Sequence, residues 1–96
     1  MDRQMKYKDY PKYDARRLLV VLFALERLER NATLHYIAQE IDCTRAEVQR
    51  AIETAQKTFL VDIEKEGSVY KLTSWGILDK SAALASIKNH IDPEKI

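Results

Sequence analysis

The chain has 96 residues, of which 46% are hydrophobic and 32% charged, and 16 Lys and Arg residues nearly balance 15 Asp and Glu residues to give a net charge of +1. A chain of this length supports one domain with its own core, and its single cysteine excludes a fold held together by intrachain disulfides. The low glycine and proline content favours helices over a turn-rich sandwich, and the composition excludes both a disordered chain and a highly basic histone-like binder.

The longest apolar run, residues 18–25, is far shorter than the about 20 residues that a membrane-spanning helix needs. The run follows a polar segment and lacks a small-residue cleavage site, so it does not have the form of a signal peptide. The sequence therefore predicts a cytoplasmic protein that does not bind a membrane.

The first part of the chain predicts an arm and a buried helix. Residues 1–12 are polar and basic and are predicted to form the arm, followed by one domain over 13–91 and a tail over 92–96. The first helix is predicted from about 13 to 30, and its centre is apolar on every face, which is typical of a helix buried on more than one side. Since one small core can hardly cover that circumference, we expect a partner subunit to cover part of it in a homodimer. The predicted interface residues are Val20, Val21, Ala24, Leu84, Ile87 and Ile91.

Two further helices are predicted on either side of a short turn. Thr33 can cap the first of them, in which apolar residues recur at helical spacing. After Asp42 and Cys43, the segment from Thr44 to Glu47 has the S/T-x-x-E form of a capping box. We therefore expect a helix-turn-helix in which Cys43 is the apolar plug of the turn. The predicted buried seam consists of Ile37, Ile41, Val48 and Ile52, with Ala38 at the crossing point.

A β-hairpin is predicted next, because the spacing of apolar residues changes from a helical period to alternation. The first strand is predicted to begin in a β-branched segment with Leu60, Val61 and Ile63. Residues 64–68 contain a glycine and are predicted to form the turn, and residues 69–72 are predicted to form the second strand. The fold class predicted so far is mainly α with a small β-hairpin.

A last helix is predicted from about Trp75 to His90, with Thr73 or Ser74 as its cap. Trp75 is expected to pack the hairpin onto this helix, since tryptophan buries a large apolar area while its N–H seeks a partner.

The order helix, helix-turn-helix, hairpin, helix resembles the winged helix-turn-helix superfamily, nearest to MarR-type and IclR-type bacterial regulators. The similarity runs from Ala38 to Val61 and resumes at Tyr70-Lys71-Leu72-Thr73-Ser74-Trp75-Gly76, which is similar to the Y-x-L-T-x-x-G pattern that closes the wing in MarR-like proteins. It covers about residues 15–90. Two positions depart from the pattern: Asp42 replaces the usual turn glycine, and Phe59 stands where glycine often precedes the first wing strand.

The resemblance implies that the Thr44–Lys57 helix binds in the major groove of double-stranded DNA and that the wing contacts the backbone or the minor groove. Polar residues on the early, exposed side of this helix suit base contacts, because Arg can bind guanine and Gln can bind adenine in a bidentate manner. The simpler interpretation is a solvated helix face. The predicted DNA contacts of this helix are Thr44, Arg45, Gln49, Arg50 and Lys57.

The arm carries more positive charge than any later segment. Residues 1–17 hold six basic and three acidic side chains, a net charge of +3, and tyrosines recur at 7, 10 and 13. Such a mixture suits phosphate and base-stacking contacts, whereas in the simpler interpretation the tyrosines pack the arm across the domain or a dimer partner. The predicted DNA contacts outside the helix are Lys12, Arg16, Arg17 and Lys65.

The predicted hairpin turn carries charges that disfavour DNA binding. It contains Glu64 and Glu66 with only Lys65 between them, and phosphate repels such a tip. Either the wing points away from DNA or the domain binds protein. The sequence thus predicts a sequence-specific DNA-binding transcriptional regulator of a bacterium or mobile element that acts as a homodimer. The alternative is a winged-helix protein–protein interaction module without sequence-specific DNA binding.

Residues for other chemistry are sparse. His35, Cys43 and His90 do not have metal-ligand spacing, and neither a nucleophile pattern nor a glycine-rich phosphate loop occurs. The sequence therefore predicts no enzymatic activity, no cofactor and no metal.

Overall fold

Six main elements follow one another along the described part of the chain. The computed structural model describes residues 6–91, with side chains through residue 87; the beginning of the predicted arm and the predicted tail lie outside these residues. The described chain is mainly helical with a two-stranded antiparallel hairpin, as predicted, and single 3-10 turns lie at Tyr7–Asp9 and Glu29–Asn31. The main elements are α1 (Arg16–Leu28), α2 (Leu34–Ile41), α3 (Arg45–Thr58), β1 (Asp62–Glu66), β2 (Val69–Ser74) and α4 (Lys80–Ile91).

Helix α1 lies at the centre of the fold, where it packs against the other three helices, β2 and the N-terminal 3-10 turn. The expectation that this chain cannot cover the helix by itself was wrong, because elements from both ends of the sequence enclose it. Within residues 6–91, no helix combines the length and the apolarity needed to cross a membrane. The buried residues of α1 are Leu19, Val20, Val21, Leu22, Ala24 and Leu25.

Helix α1 is shorter than predicted at both ends. Tyr13 has a φ of 71°, and the amide of Asp14 donates to the carbonyl of Pro11 at 3.0 Å, so a turn precedes the helix. At the other end Glu29 has a φ of 51°. Because a helix requires negative φ, positive φ at these two positions keeps the helix within residues 16–28.

Helices α2 and α3 form the predicted pair. The hydroxyl of Thr33 caps α2 by accepting from the amide of Tyr36 at 3.2 Å. Asp42 ends α2 with φ 58° and ψ 60°, a left-handed conformation that Asp adopts more readily than most residues. Asp42 can therefore replace the turn glycine. The predicted seam is buried at Ile37, Ile41, Val48 and Ile52.

The hairpin turn is tighter than predicted. Strand β1 continues through Glu66, and only Gly67 and Ser68 lie between the strands. Gly67 has a φ of 63°, and two-residue turns favour glycine because it adopts positive φ without strain. The predicted turn over 64–68 was too long, since residues 64–66 pair with β2.

Two hydrogen bonds attach the hairpin to the helical part of the chain. The amide of Tyr70 in β2 donates to the carbonyl of Ala32 at 2.8 Å. On the other strand, the side-chain amide of Gln56 in α3 donates to the carbonyl of Ile63 at 3.1 Å. Because each strand has its own attachment, the direction of the hairpin relative to α3 is fixed.

The segment after β2 packs against α1 and against the end of α3. The indole N–H of Trp75 donates to the Glu26 carboxylate at 3.3 Å, and its ring centre lies 4.9 Å from that of Phe23. Gly76 has a φ of 61°, and a Cβ there would lie 2.3 Å from the carbonyl oxygen of Leu60. Trp75 was predicted to pack the hairpin onto the last helix; its indole contacts α1, and Trp75 packs against the core cluster that also contains Ala83 and Ile87 of α4.

Helix α4 begins five residues later than predicted, at Lys80. The carboxylate of Asp79 caps it by accepting from the amide of Ala82 at 3.1 Å. Ser74, one of the two predicted caps, instead accepts from the amide of Gly76 at 3.1 Å. A turn around Gly76 therefore separates β2 from α4.

Candidate nucleic-acid interface

The turn between α2 and α3 fixes how these helices meet. The amide of Cys43 donates to the carbonyl of Ala38 at 3.0 Å, and the Cys43 side chain packs, partly buried, against the core. Burial raises the pKa of this thiol to about 11, and the nearby carboxylate of Glu47 contributes to the increase. Cys43 therefore fills the turn as a protonated, apolar side chain.

The predicted capping box holds the start of α3. The hydroxyl of Thr44 accepts from the amide of Glu47 at 3.1 Å, and the amide of Thr44 donates to the Glu47 carboxylate at 2.9 Å. That backbone hydrogen bond is the main cause of the lowered pKa of Glu47. The Thr44 hydroxyl also donates to the same carboxylate at 3.2 Å. Thr44 thus has its hydroxyl engaged in the cap.

The solvent side of α3 presents most of the predicted DNA contacts. Arg45, Gln49 and Arg50 are exposed in the first two turns, and Lys57 is exposed near the end. In the part of the chain that the structure describes, none of these four side chains takes part in a hydrogen bond or an ion pair. Glu53, also exposed, lies one turn after Gln49 and places one acidic group on this surface. The opposite face of α3 is buried at Val48, Ala51, Ile52 and Ala55.

Two predicted DNA contacts near the start of α1 are engaged within the chain. Arg16 forms an ion pair with Asp14 at 2.6 Å, and its guanidinium lies 4.7 Å from the centre of the Tyr10 ring. Arg17 donates to the carbonyl of Tyr10 at 2.9 Å, and its guanidinium lies 4.7 Å from the Tyr7 ring centre. Both arginines therefore brace the residues that precede α1.

The three tyrosines of the predicted arm have different surroundings. Tyr10 is 1% exposed and Tyr7 is partly buried, and both pack against the core, whereas Tyr13 is 94% exposed. The ammonium of Lys12, itself exposed, lies 5.7 Å from the Tyr13 ring centre. The interpretation that the tyrosines pack the arm across the domain thus holds for Tyr7 and Tyr10 and not for Tyr13.

The packed arm lies beside the start of α3. Burial raises the pKa of the Tyr7 hydroxyl, with a further contribution from Glu47, while Arg17 and Arg50 act in the opposite direction. Lys8 lies close enough to lower the pKa of Cys43 and of Glu47. The position of the arm beside α3 was not predicted by any motif spacing. The positive charge of the arm was the one sequence signal that suggested a shared surface with α3.

Glu64 and Glu66 lie on strand β1, and Glu66 is the last strand residue before the two-residue turn. Glu64 is opposite Lys71 and Lys65 is opposite Tyr70, whose ring centre is 5.5 Å from the Lys65 ammonium. Glu64 and Glu66 are two positions apart and therefore lie on the same face of β1, where both are exposed. Lys65 lies on the other face, so the prediction that the three residues share one turn was wrong.

Most of the predicted dimer interface lies inside this chain. Its three residues in α1 are at most 3% exposed, because the chain's own helices cover them; they are Val20, Val21 and Ala24. In α4, Ile87 is 8% exposed and Leu84 is 42% exposed. The side chain of Ile91 lies outside those that the structure describes. Among the predicted interface residues whose side chains the structure describes, Leu84 is thus the one with substantial surface left to offer a partner.

Neither a metal site nor a similar known protein indicates a function for the described residues. Among the described residues, no three His, Cys, Asp or Glu side chains are grouped so that they could hold a metal ion. No protein-family model, curated protein or solved structure matches the chain.

Proposed function

We propose that this chain is a winged helix-turn-helix protein of a bacterium or mobile element that binds double-stranded DNA in a sequence-specific manner and regulates transcription in the cytoplasm. The observation that carries the proposal is the surface of α3 formed by Arg45, Gln49 and Arg50. These three side chains are exposed and have no partner in the described chain, at the start of a capped helix. Recognition helices place residues at these early positions against base edges in the major groove.

The surroundings of α3 support this proposal because they hold the helix rigidly. Its apolar face is buried, the capping box secures its start, and Gln56 links it to the hairpin. A rigid helix loses little conformational entropy on binding. Each bidentate contact of Arg with guanine or of Gln with adenine is worth about 1–3 kcal/mol of discrimination.

The proposal is tested with duplexes selected from a random-sequence library and then measured by fluorescence anisotropy. Arg45→Ala and Arg50→Ala should each lower the affinity for the selected duplex about 5- to 150-fold, while the affinity for an unrelated duplex falls less. Arg30→Ala is the control for the loss of one positive charge, since Arg30 is exposed and lies in the 3-10 turn between α1 and α2 rather than on α3. Unchanged affinity and unchanged sequence preference in both α3 variants would refute the assignment.

A homodimer on a pseudo-palindromic site completes the proposal. The exposed Leu84 on α4 supports α4 as the contact between subunits, and no charged residue lies between positions 81 and 87. Interface centres are depleted in charge. Light scattering should give the mass of a dimer for the wild type and of a monomer for Leu84→Glu. A wild type that stays monomeric at high concentration would exclude the dimer.

An interaction module without sequence-specific DNA binding is the second candidate. It is favoured by the exposed acidic face of β1, where Glu64 and Glu66 lie side by side, because phosphate repels such a surface. The anisotropy measurement separates the candidates: the absence of binding to any duplex at low salt would favour the interaction module.

A further inference from the structure

Residues 6–10, here called the strap, are anchored to three helices. The hydroxyl of Tyr10 donates to the carbonyl of Ile87 in α4 at 3.2 Å, in a buried position. Arg17 of α1 donates to the carbonyl of Tyr10 at 2.9 Å. The ammonium of Lys6 donates to the carbonyl of Glu40, in the last turn of α2, at 3.1 Å. The strap therefore has a fixed position on the body of the protein.

These anchors place Lys8 beside the beginning of α3. The Lys6 bond holds the strap at the end of α2, and only residues 42–44 separate that end from α3. The ring of Tyr7, directly before Lys8, lies on Arg17 and packs against the core. Tyr10 is bound through its hydroxyl and its carbonyl, so the backbone on the other side of Lys8 is also held. The electrostatic effects of Lys8 on Cys43 and Glu47 agree with this position.

Lys8 differs from Arg16 and Arg17 near the start of α1 because its side chain holds no other group of the described chain by a hydrogen bond or an ion pair. Its side chain is exposed, and within the described range it forms no hydrogen bond and no ion pair. Arg16 and Arg17, in contrast, hold Asp14 and the backbone of the strap. Turning either arginine toward a ligand would break contacts that keep the strap in place, whereas Lys8 is available without such a loss.

We infer that Lys8 contacts a DNA phosphate beside the groove that α3 occupies, and that the strap serves to hold this lysine in position. The inference rests on the proposed function. A lysine ammonium is a compact charge with three donors and suits a phosphate without fixed geometry. Phosphate contacts of this kind fix the position of a protein on the duplex and carry no sequence information. The Glu47 carboxylate does not block this role, because the amide and hydroxyl of Thr44 hold it.

The inference predicts a specific change in the salt dependence of binding. Each phosphate contact contributes about 0.9 to the slope of log affinity against log salt. Lys8→Gln should lower this slope by about 0.9 and reduce the affinity about eight-fold at ~0.1 M salt, equally for the selected and the unrelated duplex. Lys8→Arg should restore the slope, and Arg30→Gln removes an equal charge elsewhere and should leave it unchanged.

The same titration separates failure of this inference from failure of the proposed function. If the wild type binds no duplex at low salt, the proposed function fails and the role of Lys8 fails with it. If the wild type binds and Lys8→Gln, with an unchanged urea midpoint, keeps the wild-type slope, only the role of Lys8 is wrong. A loss confined to the selected duplex would also overturn it, since that result marks a base contact.

Discussion

The two glycines of the chain provide a matched test of how the hairpin is joined to α3. Gly67 and Gly76 have nearly equal φ values of 63° and 61°. A Cβ at Gly67 meets no atom within 4 Å, whereas a Cβ at Gly76 lies 2.3 Å from the carbonyl oxygens of both Phe59 and Leu60. Replacing each glycine with alanine therefore imposes the same backbone strain, and only Gly76→Ala adds a steric clash.

The expected magnitudes follow from these two contributions. An alanine in left-handed backbone costs roughly 1–2 kcal/mol, partly offset by about 0.4–1 kcal/mol from the stiffer unfolded chain. Gly67→Ala should therefore cost about 1 kcal/mol. In Gly76→Ala the backbone must also move away from Phe59, whose carbonyl accepts from the amide of Ile77 at 3.0 Å. A lost hydrogen bond of about 1 kcal/mol and overpacking of about 1–3 kcal/mol bring the total to about 3–5 kcal/mol.

Urea unfolding of both variants measures this difference. Circular dichroism follows the helices, and the fluorescence of Trp75, the single tryptophan, follows the join itself; coincident curves justify a two-state analysis. Domains of this size are stable by only about 5–15 kcal/mol, so Gly76→Ala should be clearly weakened or unfolded. Equal losses in the two variants would show that the turn at Gly76 does not press against the end of α3.

Three further predictions concern Tyr10 and Tyr13, which precede α1, and Cys43 in the turn between α2 and α3. Tyr10→Phe should lose about 1 kcal/mol of unfolding free energy, because the buried carbonyl of Ile87 loses its donor, while Tyr36→Phe on the surface should lose none. Tyr13→Gly should keep or raise the unfolding free energy by up to about 1 kcal/mol, since it relieves positive φ at a fully exposed side chain; a clear loss would contradict the strain. With a pKa raised from 9.0 to about 11, Cys43 should react with iodoacetamide at pH 8 roughly 100-fold more slowly than in urea-unfolded protein. The folded state retains this proton, so it should lose stability as the pH rises from about 9 toward 11, and equal alkylation rates would refute both statements.

The helix pair was predictable because its signals are local. The capping box of Thr44 and Glu47, the cap at Thr33 and the helical spacing of the apolar residues each involve positions at most four apart. Asp42 could be assigned to a left-handed turn because few residue types adopt one without strain. Such features depend little on the rest of the fold, and the structure reproduces them.

The predictions from sequence were wrong where contacts between distant parts of the chain determine the structure. Residues 64–66 are charged and have weak preference for strands, yet pairing with β2 and the attachment of Ile63 to Gln56 extend the strand through them. The enclosure of α1 depends on α4, and the hydrogen bond from Tyr10 to Ile87 joins positions 77 residues apart. No periodicity within a window of sequence contains such information.

The net charge of +1 acquires a different meaning from the positions of the charges. Long-range attraction of DNA depends on the net charge and its distribution, and the acids on β1 oppose the cations of the strap and of α3. The proposed interface therefore depends on short-range contacts of Arg45, Arg50 and Lys8, which project from rigidly held segments. A rigidly held backbone loses little entropy on binding, so a nearly neutral protein can bind DNA with few phosphate contacts. The slope of log affinity against log salt should therefore be small. Removal of any one of these three side chains should cost a large fraction of the binding free energy.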